Sequence, residues 1–404
     1  MKLFYFGSVC GQKEFNETVE KSKVKPSASA QNFEYALIKG FAGIDDLDLT
    51  VVSAESIAMF PKGNRIFLKK RKDFLTENIS AQIVSAINLP FLKQKDHAKG
   101  VYKKLLKWLK ENKEDKNKAV LVYGLYPAVV KKILQLCKDN ECCCFAIITD
   151  IPKTMFTYTN NGSLLKKLFS KRYRANAIKL QNLFDGYVYL TKQMHEEVAP
   201  NKPYTVVETI ADSTIFDGIN ITDKSTPPAI MYAGALYKKY GVDKIIEVFE
   251  NLNTDARLWL FGSGDYEQEI QIKQKQNSKI CFFGRVCREE VLQREKGASL
   301  LLNIRNPNEE FTKYSFPSKT IEYMLSGTPL VTTKLSGIPK DYEGYVFFVN
   351  YEDTKGIANR IDELLCNREE LIKFGNKART FVIEQKNNTI QSKKIIDFIK
   401  TILG

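Results

Sequence analysis

Three side chains in one short stretch, Ser318, Lys319 and Glu322, carry the clearest chemistry in this sequence. They lie within NIRNPNEEFTKYSFPSKTIEYMLSGTPLVTTKLSGIPKDY, residues 303 to 342. Pro317 suits the first turn of a helix, because its φ is already helical and its missing N–H would have gone unpaired there. Gly327 ends that helix, and Leu330, Val331 and Thr332 resume a strand. Spacings of three and four put the three side chains on one side. Free N–H groups at a helix start, with an ammonium beside them, attract a diphosphate. A carboxylate one turn deeper can accept two hydrogen bonds from vicinal hydroxyls such as a ribose diol. The bland alternative is an ordinary ion pair between Lys319 and Glu322 on a solvated face.

Elsewhere the raw material for catalysis is thin. There are two histidines, His97 and His195, and neither sits in a recognisable motif. A Ser-His-Asp or Cys-His enzyme therefore has almost no raw material. The eight cysteines form no C-x-x-C pair and have no histidine at ligand spacing, so no metal site or disulfide framework is expected. Asp150 closes an apolar run, where ligands of open α/β sheets bind; as the N-cap of a following helix it would need no further role.

The elements that must position these residues alternate along the whole chain. Apolar runs at Lys2 to Phe6, Leu47 to Val52, Lys118 to Tyr123, Phe145 to Thr149 and Tyr187 to Leu190 are separated by polar or helical segments. The second half repeats this with Ala229 to Tyr232, Arg257 to Phe261, Ile280 to Phe283, Leu300 to Ile304 and Pro329 to Thr332. Such alternation predicts parallel sheets built from β-α units. With 404 residues, two doubly wound domains are expected: residues 1–205, residues 206–386, and an amphipathic helix over 387–404 that either packs on its own domain or crosses back to the first. No run reaches the 18 or so apolar residues of a membrane-spanning helix, and Met1 to Gly11 lacks a signal-peptide pattern, so a cytosolic protein is expected.

The charge is lopsided. Met1 to Tyr204 holds 34 Lys+Arg against 20 Asp+Glu, so 34 − 20 = 14, the entire net excess of the chain. Three stretches account for it: Lys62 to Lys72, Lys103 to Lys110 and Lys166 to Arg174. The second sets lysines beside Leu105, Trp108 and Leu109, the third beside Leu164, Leu165, Leu168 and Phe169. Cations beside such residues suit an anionic bilayer surface. Nucleic acid is disfavoured as a partner, because no recognition motif or aromatic stacking platform accompanies the charge.

The stretch FPSK-x-x-EYM-x-SG-x-P at Phe316 to Pro329 resembles the donor-nucleotide site of retaining GT-B glycosyltransferases of the large bacterial family four. Further pieces fall in family order: YAGALYKKYG at Tyr232 to Gly241, FGSG at Phe261 to Gly264, FGR at Phe283 to Arg285, Phe6-Gly7, Thr149 to Pro152, Leu190-Thr191 and Val207-Glu208. The resemblance implies two Rossmann-like domains facing across a cleft. It also implies a nucleoside-diphosphate sugar on the second domain and a glycan or lipid-linked acceptor on the basic first domain. On this resemblance Gly234, Lys239, Gly262, Gly264, Arg285, Tyr314, Ser315, Phe316, Pro317, Ser318 and Glu322 contact the donor; Asp150, Lys319 and Arg305 serve the chemistry; and Gly7 and Asn32 meet the acceptor.

This sequence departs from the family pattern at two places. Tyr314 stands where the family has a sugar-contacting Glu, and Ala235 and Tyr240 stand where it has an Arg and a Lys for the diphosphate. The missing charge is expected from Lys319 and Arg305 first, then Lys239 and Arg285. Transfer with retention, without a metal or other cofactor, in surface polysaccharide or glycoconjugate assembly at the inner membrane face, is what the resemblance implies. A nucleotide-sugar epimerase of the same architecture and a non-catalytic basic binding protein are the competing expectations.

Overall fold

A computed structural model describes residues 1–153, 164–221 and 223–404, and the side chains of all of these except 164–166. The chain forms two compact units: Met1–Ile210 together with Asn388–Gly404, and Ala211–Asn387.

In the first unit the strands are β1 (Lys2–Gly7), β2 (Asp48–Ser53), β3 (Phe67–Leu68), β4 (Arg71–Phe74), β5 (Ser80–Ile83), β6 (Ala86–Ile87), β7 (Lys118–Tyr123), β8 (Cys143–Ile148), β9 (Gly186–Tyr189) and β10 (Tyr204–Val206). Eight of them make one sheet in the order β10-β9-β8-β7-β1-β2-β5-β4, parallel except for the β4/β5 hairpin at one edge; β3 and β6 pair separately. Leu3, Phe4, Tyr5 and Phe6 are all fully buried. Such a continuous apolar strand is the mark of a sheet covered by helices on both faces. The hairpin was not foreseen, because Arg71 to Phe74 is mostly polar and pairs only at an edge. The units part after Ile210, five residues beyond the expected 205, since β10 still pairs with β9.

The C-terminal helix Asn388–Leu403 belongs to the first unit. Ile395, Ile396 and Ile399 enter its core beside Leu37, Phe41 and Phe145. Close approach is possible because Gly40, on the helix Ala28–Ala42, has no side chain: a Cβ there would lie 2.2 Å from the carbonyl oxygen of Asn388. Ser392 Oγ also donates to the Leu37 carbonyl at 3.0 Å.

The second unit holds β11 (Ala229–Ala235), β12 (Arg257–Ser263), β13 (Ile280–Gly284), β14 (Leu300–Asn303), β15 (Leu330–Thr333) and β16 (Phe347–Val349). All run parallel in the order β13-β12-β11-β14-β15-β16. The chain leaves β11 to one side and later returns to its other side with β14, so the direction of winding reverses between these two strands. In open α/β sheets ligands bind at the C-terminal ends of the strands at such a reversal. No helix among the described residues is long and apolar enough to cross a membrane.

Candidate active site

Of the side chains singled out in the second half, Lys239, Arg305, Lys319 and Glu322 lie on the segments that follow β11 and β14, the two strands of that reversal. The helix Ser318–Ser326 starts just after Pro317, with no side chain capping its first turn, and ends at Gly327 with φ 77°. Ser318 is exposed, whereas Phe316 and Pro317 are buried. Phe316 packs on Tyr342 at 5.4 Å between ring centroids, which makes it a core residue that sets the entry angle of the helix. Ser315, in the same approach, keeps a buried hydroxyl with no hydrogen-bond partner among the described residues. Tyr314 closes the short helix Glu310–Lys313.

Lys319 and Glu322 are joined in an ion pair, but on no solvated face. Lys319 also reaches Oε1 of the fully buried Glu295 at 3.3 Å, and Arg288 Nη2 lies 3.3 Å from Glu322 Oε2. Burial works against ionisation of Glu322; Lys319 and Arg288 outweigh it and hold its carboxyl well below the usual range. Glu295 goes the other way, raised by burial and by the negative charge of Glu322. Neither Arg288 nor Glu295 was expected. Their helix, Arg288–Gly297, reads REEVLQREKG, and only Leu292 and Glu295 are buried in it, so no apolar stripe marks its inner face.

Arg305 follows β14 directly. Its Nε donates to Asn303 Oδ1 at 3.2 Å, and its guanidinium lies 4.9 Å from the centre of the Tyr240 ring. Burial lowers its pKa, opposed by Tyr232, Tyr240 and Tyr323. Among the described residues no carboxylate pairs with it, Glu309 and Glu310 included. Lys239 lies 5.0 Å from the same Tyr240 ring and 5.6 Å from that of Tyr237. Tyr240, standing where the family carries a lysine, thus collects two cations on its ring.

The glycines act mainly on the backbone. Gly262, at φ 127°, lets β12 approach β11, for a Cβ there would lie 1.8 Å from the carbonyl oxygen of Gly234. Gly234 itself leaves room for the Tyr232 hydroxyl, 3.0 Å from where its Cβ would be. A Cβ at Gly264 would meet the Leu236 carbonyl oxygen at 2.1 Å, and the Gly264 N–H already donates to Glu267 Oε1 at 2.7 Å. The structure therefore gives Gly262 and Gly264 a packing role that needs no ligand. Arg285 is exposed after β13, the edge strand, two strands away from β11.

In the first unit the sheet reverses between β1 and β7. The turn after β1 is pinned internally. Ser8 donates through its N–H at 2.9 Å and its hydroxyl at 2.5 Å to Glu34, which also accepts from the Tyr5 hydroxyl at 2.8 Å. Cys10 N–H donates to Gln31 at 3.2 Å, and Gly11 N–H to Asp73 at 3.0 Å. Gly7 makes room for the Glu34 carboxylate, since a Cβ there would fall 1.8 Å from Oε2. Glu34 is fully buried, and burial pushes its pKa up to about 7. Asn32 is half-buried on the same helix. Asp150 stands exposed just beyond β8 and accepts from Thr149 Oγ1 at 3.3 Å. Both histidines are structural: burial pushes the pKa of His97 down to about 4, and His195 stacks on Tyr204 at 4.1 Å.

The basic stretches differ from their expected form. Arg65 and Arg71, in the first, turn inward on Glu55, and Arg71 also grips Asp73 at 2.7 Å. In the second, Leu105, Trp108 and Leu109 are core residues, so the apolar face of the helix Leu92–Glu111 is already used. The third does present apolar surface: Leu168 and Phe169 are exposed, and the Phe169 ring meets exposed Phe91 edge-on at 4.6 Å. The side chains of Leu164, Leu165 and Lys166 lie outside the described residues.

Three kinds of comparison bear on this arrangement. Residues 227–367 match the family profile "Glycosyl transferases group 1". No curated protein matches the chain in sequence. Among solved structures, the chain is similar to sucrose-phosphate synthase from Thermosynechococcus elongatus, at 12% identity, covering 100% of this chain and 99% of that one with a TM-score of 0.62. It is similar to the lipopolysaccharide outer core galactosyltransferase WaaB, at 11% identity with 99% of each chain covered and a TM-score of 0.61. Anabaena HepE in complex with UDP gives 13% identity over 99% of this chain and 100% of that one, TM-score 0.62. The chain therefore has the GT-B fold, two Rossmann-like domains, and its second unit carries the glycosyl transferases group 1 domain.

Proposed function

We propose that this protein is a glycosyltransferase that moves a hexose from a nucleoside-diphosphate sugar to a glycan or lipid-linked acceptor, with retention of configuration and without a metal. The observation that carries this reading is Arg305. It is a largely buried guanidinium with no carboxylate partner among the described residues, placed after β14 on the side of the sheet reversal where the Ser318 helix begins. A cation without a counter-charge is costly unless an anion visits it. In the proposed complex the diphosphate lies against Arg305, Lys319 and the first N–H groups of the helix, and Glu322 accepts from the ribose hydroxyls. Lys239, Tyr314 and Ser315 complete the donor pocket, and within the first unit Asp150, Gly7 and Asn32 are the residues proposed for the acceptor.

During transfer the bond from the sugar's anomeric carbon to the diphosphate breaks, and a new bond to the acceptor oxygen forms on the same face. The acceptor's proton passes to the departing diphosphate oxygen, so the protein supplies charge stabilisation and no base. The matched family profile and the UDP complex of HepE support the donor class. The test is differential scanning fluorimetry with UDP, GDP, ADP and TDP, since a ligand that binds only the folded state raises its melting temperature. One of the four should stabilise the protein, and no response to any would overturn the reading.

We further propose that the first domain docks on the anionic inner face of a membrane, in surface polysaccharide or glycoconjugate assembly. Among the described residues the exposed large hydrophobics fall mostly in the first unit. Phe91, Leu92, Leu168 and Phe169 lie among Lys95, Lys167, Lys171 and Arg172. Each cation contributes about 1 kcal/mol near such a surface. Co-sedimentation should show binding to vesicles with phosphatidylglycerol, little to pure phosphatidylcholine, and none to duplex DNA. Phe91→Asp with Phe169→Asp should weaken binding about tenfold or more. Equal binding of wild type and double variant would refute this surface.

A further inference from the structure

Glu295 has no place in the chemistry described so far, yet it is the most deeply buried acid of the second unit's site. It is fully buried on the helix Arg288–Gly297 and leans on the functional helix from behind. Its Oε1 lies 3.3 Å from Lys319 Nζ, while Oε2 finds no donor among the described residues. Glu295 and Glu322 share one ammonium, each with its Oε1 on Lys319 Nζ. The groups facing it are Lys319, Glu322 and Tyr323 from the functional helix, with Arg288, from its own helix, on the far oxygen of Glu322.

Two carboxylates side by side, out of water, cannot both stay ionised. Glu322 is the one held ionised, by Lys319 and Arg288, so the proton belongs to Glu295. The charge count then matters. Lys319 and Arg288 give two positive charges, Glu322 one negative, and protonated Glu295 none, which leaves one net positive charge at the start of the helix. Ionised Glu295 would cancel that charge and its attraction for an anion. A protonated Glu295 also has one hydrogen to give, and Glu322, on the same ammonium, is the neighbouring acceptor.

We propose that Glu295 is a positioning residue for the donor nucleotide: it stays neutral, donates to Glu322 to fix the orientation of that carboxylate toward the ribose, and so leaves the cluster one net positive charge for the diphosphate. This rests on the reading that the donor binds at the Ser318 helix. Glu295 itself touches no ligand.

The experiment titrates wild type, E295Q, E295M and E322A with UDP, GDP, ADP and TDP by calorimetry and follows the nucleotide that wild type binds best. Methionine fills a similar volume without a proton to give. E295M should keep or raise the melting temperature, as replacing a buried acid by an apolar chain commonly does. It should nevertheless bind nucleotide about tenfold or more weakly, the effect of losing a hydrogen bond to a charged group. E295L makes the same comparison if E295M does not fold. E295Q, whose amide can donate to Glu322 and accept from Lys319, should recover binding to within about threefold. Wild-type affinity in E295M, or E295Q as weak as E295M, overturns the proposal. If E322A loses binding while E295M keeps it, the donor site stands and Glu295 falls. If E322A binds like wild type, or no nucleotide binds wild type, the donor reading itself falls.

Discussion

Glu322→Ala and Lys319→Ala should each remove most of the thermal stabilisation that a matching nucleoside diphosphate gives, while the unliganded proteins melt close to wild type. A carboxylate accepting from two ribose hydroxyls makes two charge-assisted hydrogen bonds, each worth about 1.5–3 kcal/mol, so their joint loss weakens binding about 100-fold or more. At a concentration 100 times the wild-type Kd, mass action gives about 2.7 kcal/mol of stabilisation, and after that loss only about 0.4 kcal/mol remains. For a domain the size of Ala211–Asn387 the shift falls from roughly 5–10 °C to about 1 °C. The fold survives because the cluster compensates: without Glu322, Glu295 is free to ionise and pair with Lys319, and without Lys319, Arg288 still faces Glu322. Undiminished stabilisation in both variants would remove the donor from this helix.

Arg305→Gln should cost about 100-fold or more in kcat, with a smaller change in donor KM, because charge on the departing diphosphate grows as its bond to the sugar breaks. Arg305→Lys should recover only part of it. Lysine keeps the charge but loses the planar face that lies over Tyr240, and with it the fixed position of the cation. Steady-state kinetics with the donor identified by scanning fluorimetry checks this. If Arg305→Gln changed KM alone, the guanidinium would be a binding group and the leaving-group role would be wrong.

Alternating apolar runs and helical segments were enough to predict two parallel-sheet domains, because burial on both faces demands long apolar strands such as Leu3 to Phe6. The Ser318–Ser326 helix could be read because its two flanks are set by local backbone geometry: Pro317, which the structure places one residue before the first turn, has no N–H to leave unpaired there, and Gly327 takes φ 77° without strain. The spacing of Lys319 and Glu322 followed from that helix. These are short-range matters, and short-range matters are written in neighbouring residues.

What surrounds Lys319 and Glu322 is not short-range. Glu295 and Arg288 come from a helix that the chain builds some thirty residues earlier, and Tyr240 meets Arg305 across two strands that only become neighbours in the finished sheet. The basic stretches teach the same lesson in reverse. Trp108 beside its lysines and Arg71 among its own cations both have surface-like sequences, yet one is core and the other is bound to Glu55 and Asp73. Sequence alone determined the periodicity, the helix ends and the excess of positive charge. Which cations are spent on internal acids, and that Arg305 meets no carboxylate among the described residues, was decided only when distant segments packed together, because burial and ion pairing depend on distances that no local pattern encodes.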